Sequence, residues 1–292
     1  MFSKSLVISL GSLLALSLAL SPKPVAAQPP VAPADTTLGW SRQVNGLLNL
    51  SQSYYDNWVK GGTDALSWEV NLGGRAALNE KDFLWENSLK AVYGQTKIQG
   101  FSSRKSSDEW NLETIYTRKL GTWVNPFASA RGQSQFTAGY SYDSVGVRTQ
   151  ISDFFDPAYF LETVGIGITP VKDLTERLGV TMKQTISDTY SYADDKETLG
   201  DVETFKQEYG LSSVTDYSFA LMENILAKTR LDVFANFQGF DEVDMRWANQ
   251  VTAKVNKLIS MNLELEILYD KDLSEESQTR QSLSVGIALL SL

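Results

Sequence analysis

Histidine and cysteine are both absent from the 292 residues. Any chemistry must therefore come from carboxylates, Lys, Arg and hydroxyls, without a Ser-His-Asp or Cys-His centre or the commonest metal ligands. Many of the charged residues that remain fall at even intervals: Glu109 and Glu113, Lys228, Arg230 and Asp232, Arg246 and Lys254, Glu264 and Glu266. In an extended chain that spacing puts side chains on one face. Arg75, Glu86, Lys90, Arg131 and Lys183 take the same face in neighbouring runs. Paired carboxylates could do general acid-base work only if their surroundings split their pKa values. A wall of both signs has a simpler use. It imposes a transverse field on a permeating solute, or its members pair across strands and fill a narrow lumen with a polar core.

The stretch that best shows what positions these charges runs from Leu66 to Gln95. Leu66, Trp68, Val70, Leu72 and Leu78 share one parity, while Glu69, Asn71 and Arg75 share the other. Asn79-Glu80-Lys81-Asp82 is a turn, after which Phe83, Trp85, Leu89 and Tyr93 alternate with Glu86, Ser88 and Lys90. A tight turn predicts Leu78 opposite Phe83, Ala76 opposite Trp85 and Arg75 opposite Glu86. At about 3.3 Å per residue and a tilt near 40°, the apolar face from Phe83 to Tyr93 covers roughly 25 Å of height with aromatics at both ends. A polar face backed by a belted apolar face describes a hairpin of a transmembrane β-barrel. Trp68, Trp85, Tyr93, Trp110, Trp123 and Trp247 are the expected aromatic girdle.

The same alternation continues from Val44 to Tyr54, Glu109 to Lys119, Trp123 to Phe136, Ala158 to Thr169, Arg177 to Ile186, Phe205 to Leu221, Ala227 to Phe237, Asp244 to Val255, Met261 to Asp270 and Leu283 to Leu289. Ala158 to Thr169 is the exception to clean patterning, because Glu162 shares parity with Phe160, Val164, Ile166 and Ile168. About twelve antiparallel strands result, in an all-β, up-and-down transmembrane barrel. Short turns near 80, 121, 171, 223 and 257 alternate with longer loops near 59, 102, 147, 194, 240 and 274, as short periplasmic turns and long extracellular loops do in outer-membrane barrels. Thr137 to Pro157 reads as a long loop. It either folds into the mouth as a constriction carrying Arg148, Asp153 and Asp156, with Phe154 and Phe155 as a greasy surface, or forms an outer lid. Asp194-Asp195 and Glu275-Glu276 lack the spacing of a calcium loop and read as solvated acidic loops.

Ahead of the barrel, Lys4 precedes an apolar run from Leu6 to Leu20, and Val25-Ala26-Ala27 offers a cleavage site, so residues 1–27 read as a secretory signal peptide cut after Ala27. Residues 28–39 form an unstructured periplasmic lead-in, and residues 40–292 form the barrel. No apolar run after Gln28 reaches the ~18 residues of a membrane helix. Without residues 1–27, 24 Lys and Arg face 35 Asp and Glu, a charge of −11 that disfavours nucleic acid as a partner. The expected partners are outer-membrane lipid and a small solute or ion, with no cofactor and no metal.

Four stretches, Asn57-Trp58-Val59-Lys60-Gly61-Gly62, Trp85-Glu86-Asn87-Ser88-Leu89, Gln135-Phe136-Thr137-Ala138-Gly139-Tyr140 and Ile151-Ser152-Asp153-Phe154-Phe155-Asp156-Pro157-Ala158-Tyr159, carry a further indication. On these the chain resembles a family of predicted outer-membrane β-barrels catalogued as a domain of unknown function (DUF3078-like). The resemblance implies bacterial outer-membrane location and barrel fold, and brings no activity or functional residues with it. The residues themselves point first to a passive pore or small-solute transporter with a charged lumen. A non-conducting structural or surface-interaction barrel acting through its loops is the rival, and an enzyme ranks third.

Overall fold

A computed structural model describes residues 38–56, 59, 62–121, 123–143, 146–194, 202–239, 243–270 and 276–291. The expected signal peptide, most of the lead-in, the two acidic dipeptides in part and most of the Asn57 to Gly62 stretch lie outside these residues. Fourteen strands follow in order: β1 (Gly39–Ser53), β2 (Ala65–Asn79), β3 (Phe83–Ile98), β4 (Arg104–Arg118), β5 (Val124–Ser134), β6 (Gly139–Tyr142), β7 (Arg148–Ser152), β8 (Ala158–Val171), β9 (Leu174–Ile186), β10 (Phe205–Met222), β11 (Ile225–Asn236), β12 (Val243–Lys254), β13 (Ile259–Tyr269) and β14 (Gln278–Ser291).

Twelve of them close into one antiparallel ring in the order β1-β14-β13-β12-β11-β10-β9-β8-β5-β4-β3-β2. Closure leaves no unpaired strand edge, which is what allows strands to sit in hydrocarbon. The alternation decides which face meets which solvent. Leu72, Leu89, Val164 and Leu283 point outward and are 44–63% exposed. Ala77, Val92, Ile115 and Phe127 of the other parity are buried in the lumen beside its charged groups. The protein is a transmembrane β-barrel of the outer-membrane type.

The sequence pattern placed strand number and facing correctly and missed two details. Asn79 pairs with Leu84 and Leu78 with Trp85, so the first hairpin is shifted two residues from the register expected from its turn. Arg75 faces Ser88 and reaches Glu86 diagonally, at 2.6 Å. Because side chains repeat every two residues, this shift keeps every residue on its predicted face. The second correction concerns Thr137 to Pro157, which is more than a loop. It contains β6 and β7, a separate two-stranded sheet.

Ring pairs mark both rims. Trp40 lies 6.0 Å from Trp85, and Phe83 stacks on Tyr116 at 5.4 Å at the end with the short turns. Trp68 meets Tyr93 at 5.9 Å, and Trp110 meets Phe155 at 5.9 Å, towards the long loops. Trp123 is 66% exposed. Trp247 donates its indole N–H to Thr229 on the outer face, at 2.9 Å. Trp40 escaped the predicted girdle because the first strand begins at Gly39, ahead of the clear alternation.

Candidate functional site: the charged lumen

The strand pattern aims Glu113 on β4, Arg131 on β5 and Arg230 and Asp232 on β11 at the middle of the lumen. Glu113 and Arg131 are cross-strand neighbours and lie 3.0 Å apart. The other links cross the barrel. Arg230 donates to both carboxylate oxygens of Glu113 at 2.9 and 3.1 Å, and Arg131 donates to Asp232 at 2.8 Å. Arg230 also binds Asp232 at 3.0 Å. Each guanidinium therefore holds both carboxylates, in a neutral quartet of forked, charge-assisted bonds. Asp216 extends it on β10, binding Arg177 at 2.6 Å and lying 3.7 Å from Arg230.

Towards the long loops a second brace spans the full ring. Arg246 on β12 binds Glu266 at 2.6 Å and Glu109 on β4 at 3.0 Å, with five strands between β12 and β4 on either side. Arg280 adds a bond to Glu266 at 3.1 Å and Lys90 one to Glu109 at 3.5 Å. Higher still, the buried Lys183 binds Asp244 at 2.6 Å and Glu208 at 3.4 Å and lies over the ring of Phe234 at 5.5 Å.

Between these braces lies a cavity of about 570 Å³, bounded by Glu113, Arg131 and Asp232 and by Tyr159, Asp244 and Asp270 among others. Its wall mixes charge with the apolar side chains of Val92, Phe127, Met245 and Leu268. Cavities of this size hold small ligands, oriented by a few polar groups.

Of the lumen residues expected from sequence, Glu109, Glu113, Arg131, Lys183, Asp232, Arg246 and Glu266 line this cavity, and Arg230 joins Glu113 and Asp232 in the quartet. Arg75 and Glu86 form their own pair nearer the short turns. Glu264 accepts from Gln250 at 3.4 Å. Lys228 and Lys254 share the lumen face and form no ion pair among the described residues. Charged wall positions outside that set include Asp216, Glu208 and Arg280, with Arg177, Asp244 and Asp270 at the cavity itself. Their inward parity was the available signal, but long strands made it hard to read.

Arg148, Asp153, Phe154, Phe155 and Asp156 do not line this cavity. Arg148 stacks on Tyr140 at 4.8 Å within the small sheet. Asp156 accepts from the Ser187 hydroxyl at 2.6 Å and the Thr189 amide at 2.9 Å, tying the segment to the next loop. Phe155 is wedged between Trp110 and Phe160, each 5.9 Å away, at the outer rim, and Phe154 is exposed. Asp108 anchors the start of the segment by accepting the amides of Phe136 and Thr137 at 2.8 and 2.9 Å. Tyr192 donates to the Ile151 carbonyl at 3.1 Å, and burial, followed by the charge of Asp156, raises its pKa. The contacts of the segment run to the outer rim and to the neighbouring loop, and Pro157 at its end touches the cavity. Among the described residues no group of three or more Asp and Glu is arranged to hold a metal ion.

With the geometry in place, similarity to known proteins can be set beside it. Residues 50–140 match the family model described as Protein of unknown function (DUF3078). That segment begins near the end of β1, takes in β2 to β5 and stops in β6. No curated protein matches the chain. Among solved structures, the translocator domain of the autotransporter NalP from Neisseria meningitidis is 13% identical, with 87% of this chain and 89% of that one covered and a TM-score of 0.40. An outer-membrane channel from Pseudomonas putida F1 is 11% identical, with 89% and 100% covered and a TM-score of 0.41. The NanC porin is 10% identical, with 83% and 98% covered and a TM-score of 0.40.

Proposed function

We propose that this barrel passes small polar solutes across the bacterial outer membrane through a lumen that rests closed. In this reading residues 1–27 are removed after Ala27, residues 28–39 lead in from the periplasm, and the long loops face outward. The observation that carries it is the quartet of Glu113, Arg131, Arg230 and Asp232, which bridges the walls at one side of a 570 Å³ cavity. A barrel needing only rigidity could fill its interior with apolar side chains, which are often as stabilising as buried ion pairs. Reversible charge pairs beside a solute-sized space suit a passage that opens when a solute or a field competes for the pairs. Pairing of both signs favours zwitterionic or hydroxylated solutes over simple salts.

The rival reading, a non-conducting barrel, draws on the same quartet taken as permanent filling. Proteoliposome swelling separates the two. Folded protein should admit small polar solutes and exclude those larger than the cavity. No swelling in any solute, for both the wild type and a folded variant with the quartet broken, would leave only the non-conducting barrel.

A further inference from the structure

Charge in the lumen is not evenly compensated. Beside the quartet and towards the long loops, inward cations hold carboxylates: Arg177 binds Asp216, Lys90 binds Glu109 and Arg280 binds Glu266. Arg75 does the same with Glu86 nearer the short turns. Lys228 on β11 and Lys254 at the end of β12 are the contrast. Both are exposed, and neither ammonium group has an ion pair or a hydrogen bond among the described residues.

Their neighbours explain why no carboxylate answers them. Lys228 stands opposite Ser218 on β10 and Gln250 on β12, and Lys254 stands opposite Ser260 on β13. The rung through Lys228 reaches an acid, Glu264, only beyond Gln250, whose amide donates to that carboxylate at 3.4 Å. Two uncompensated ammonium groups among hydroxyl and amide side chains suit an oxyanion, because lysine holds phosphoryl groups as a point charge. Their depth points the same way. Lys228 lies four residues along the strands from Lys254, and Arg230 two further, steps of about 13 and about 7 Å towards the quartet. An anion held by Lys228 is therefore within a side chain's reach of Arg230, whose guanidinium holds Glu113 at 2.9 Å and Asp232 at 3.0 Å.

We propose that Lys228 and Lys254 form an oxyanion-binding site at the short-turn end of the lumen. It takes a dianionic phosphoryl group, free or carried by a small molecule, and the bound anion competes with Glu113 and Asp232 for Arg230 and loosens the quartet. The site stands on its own geometry, whereas its effect on the seal rests on the reading of the lumen as a closed passage.

The test uses refolded residues 28–292 and two probes, inorganic phosphate and glycerol phosphate, at fixed ionic strength. Calorimetry in detergent should show binding, and the tighter probe tells a free ion from a phosphorylated small molecule. Lys228→Gln combined with Lys254→Gln should weaken it by roughly tenfold or more while heat-modifiable gel migration shows an intact barrel. Lys228→Arg should largely retain binding, and Lys97→Gln, at the long-loop end of β3, should leave it unchanged. In planar bilayers the tighter probe should raise the open fraction of the wild type several-fold and leave the double variant unaffected. No binding of either probe, or binding that survives the double substitution, would overturn the site. Binding lost in the double variant, with the openings of a conducting wild type unmoved by either probe, would overturn its hold on the seal. Silent wild-type and Glu113→Ala barrels that still bind the probe would instead count against the closed passage and leave the site standing.

Discussion

The mid-lumen quartet and the cavity beside it are made from the same residue types in the same alternation, yet they behave as opposites. In the quartet, side chains from β4, β5 and β11 meet, each Arg grips two carboxylates, and little capacity is left for anything else. Around the cavity the charges stand along the walls with space between them. Whether charges in a lumen meet or leave space between them therefore depends on reach across the barrel more than on composition.

Breaking the seal should have the largest effect. Glu113→Ala strips both Arg131 and Arg230 of a shared partner and should cost about 3 kcal/mol of stability, read by urea unfolding in detergent micelles. Combining it with Arg230→Ala should cost less than the sum of the two single changes, with a coupling of about 1–3 kcal/mol. Additive costs would mean the two residues do not act together. Next in size is a change of sign along the passage. Arg230→Glu with Arg246→Glu should move the reversal potential in a salt gradient towards cation selectivity, and an unchanged value in an open barrel would remove these residues from the path.

Deleting residues 141–150 should matter less to the barrel, because β6 and β7 pair only with each other. Heat-modifiable migration should persist, with stability changed by under about 1 kcal/mol. Loss of folding would show that this segment belongs to the barrel core. The smallest effect is expected from Arg118→Ala. Its 2.7 Å bond to Asp82 joins side chains that are more than half exposed. Surface pairs of this kind contribute about 0.5 kcal/mol or less.

The fold was legible because lumen and lipid act as two solvents on alternate residues, so twelve strands could be read from period and turn spacing alone. The first register could not, since a two-residue slip preserves both faces and only the turn geometry distinguishes it. The small sheet was hidden for a different reason. Its strands have four and five residues and lie among Gly139, Gly146 and Pro157, which signal loop. The candidate site was half legible. Parity named most of its charges, but Arg230 and Glu113 stand 117 residues apart and meet only because the sheet closes. Glu162, the residue that spoiled its strand pattern, does take the outward parity of β8, between the lumen-lining Leu161 and Thr163.

The central claim is that the quartet holds the passage shut, and planar-bilayer currents of refolded residues 28–292 test it most directly. Wild-type barrels should be mostly silent, with brief openings, and Glu113→Ala barrels of proven fold should conduct steadily. Steady wild-type conductance left unchanged by Glu113→Ala would contradict the claim.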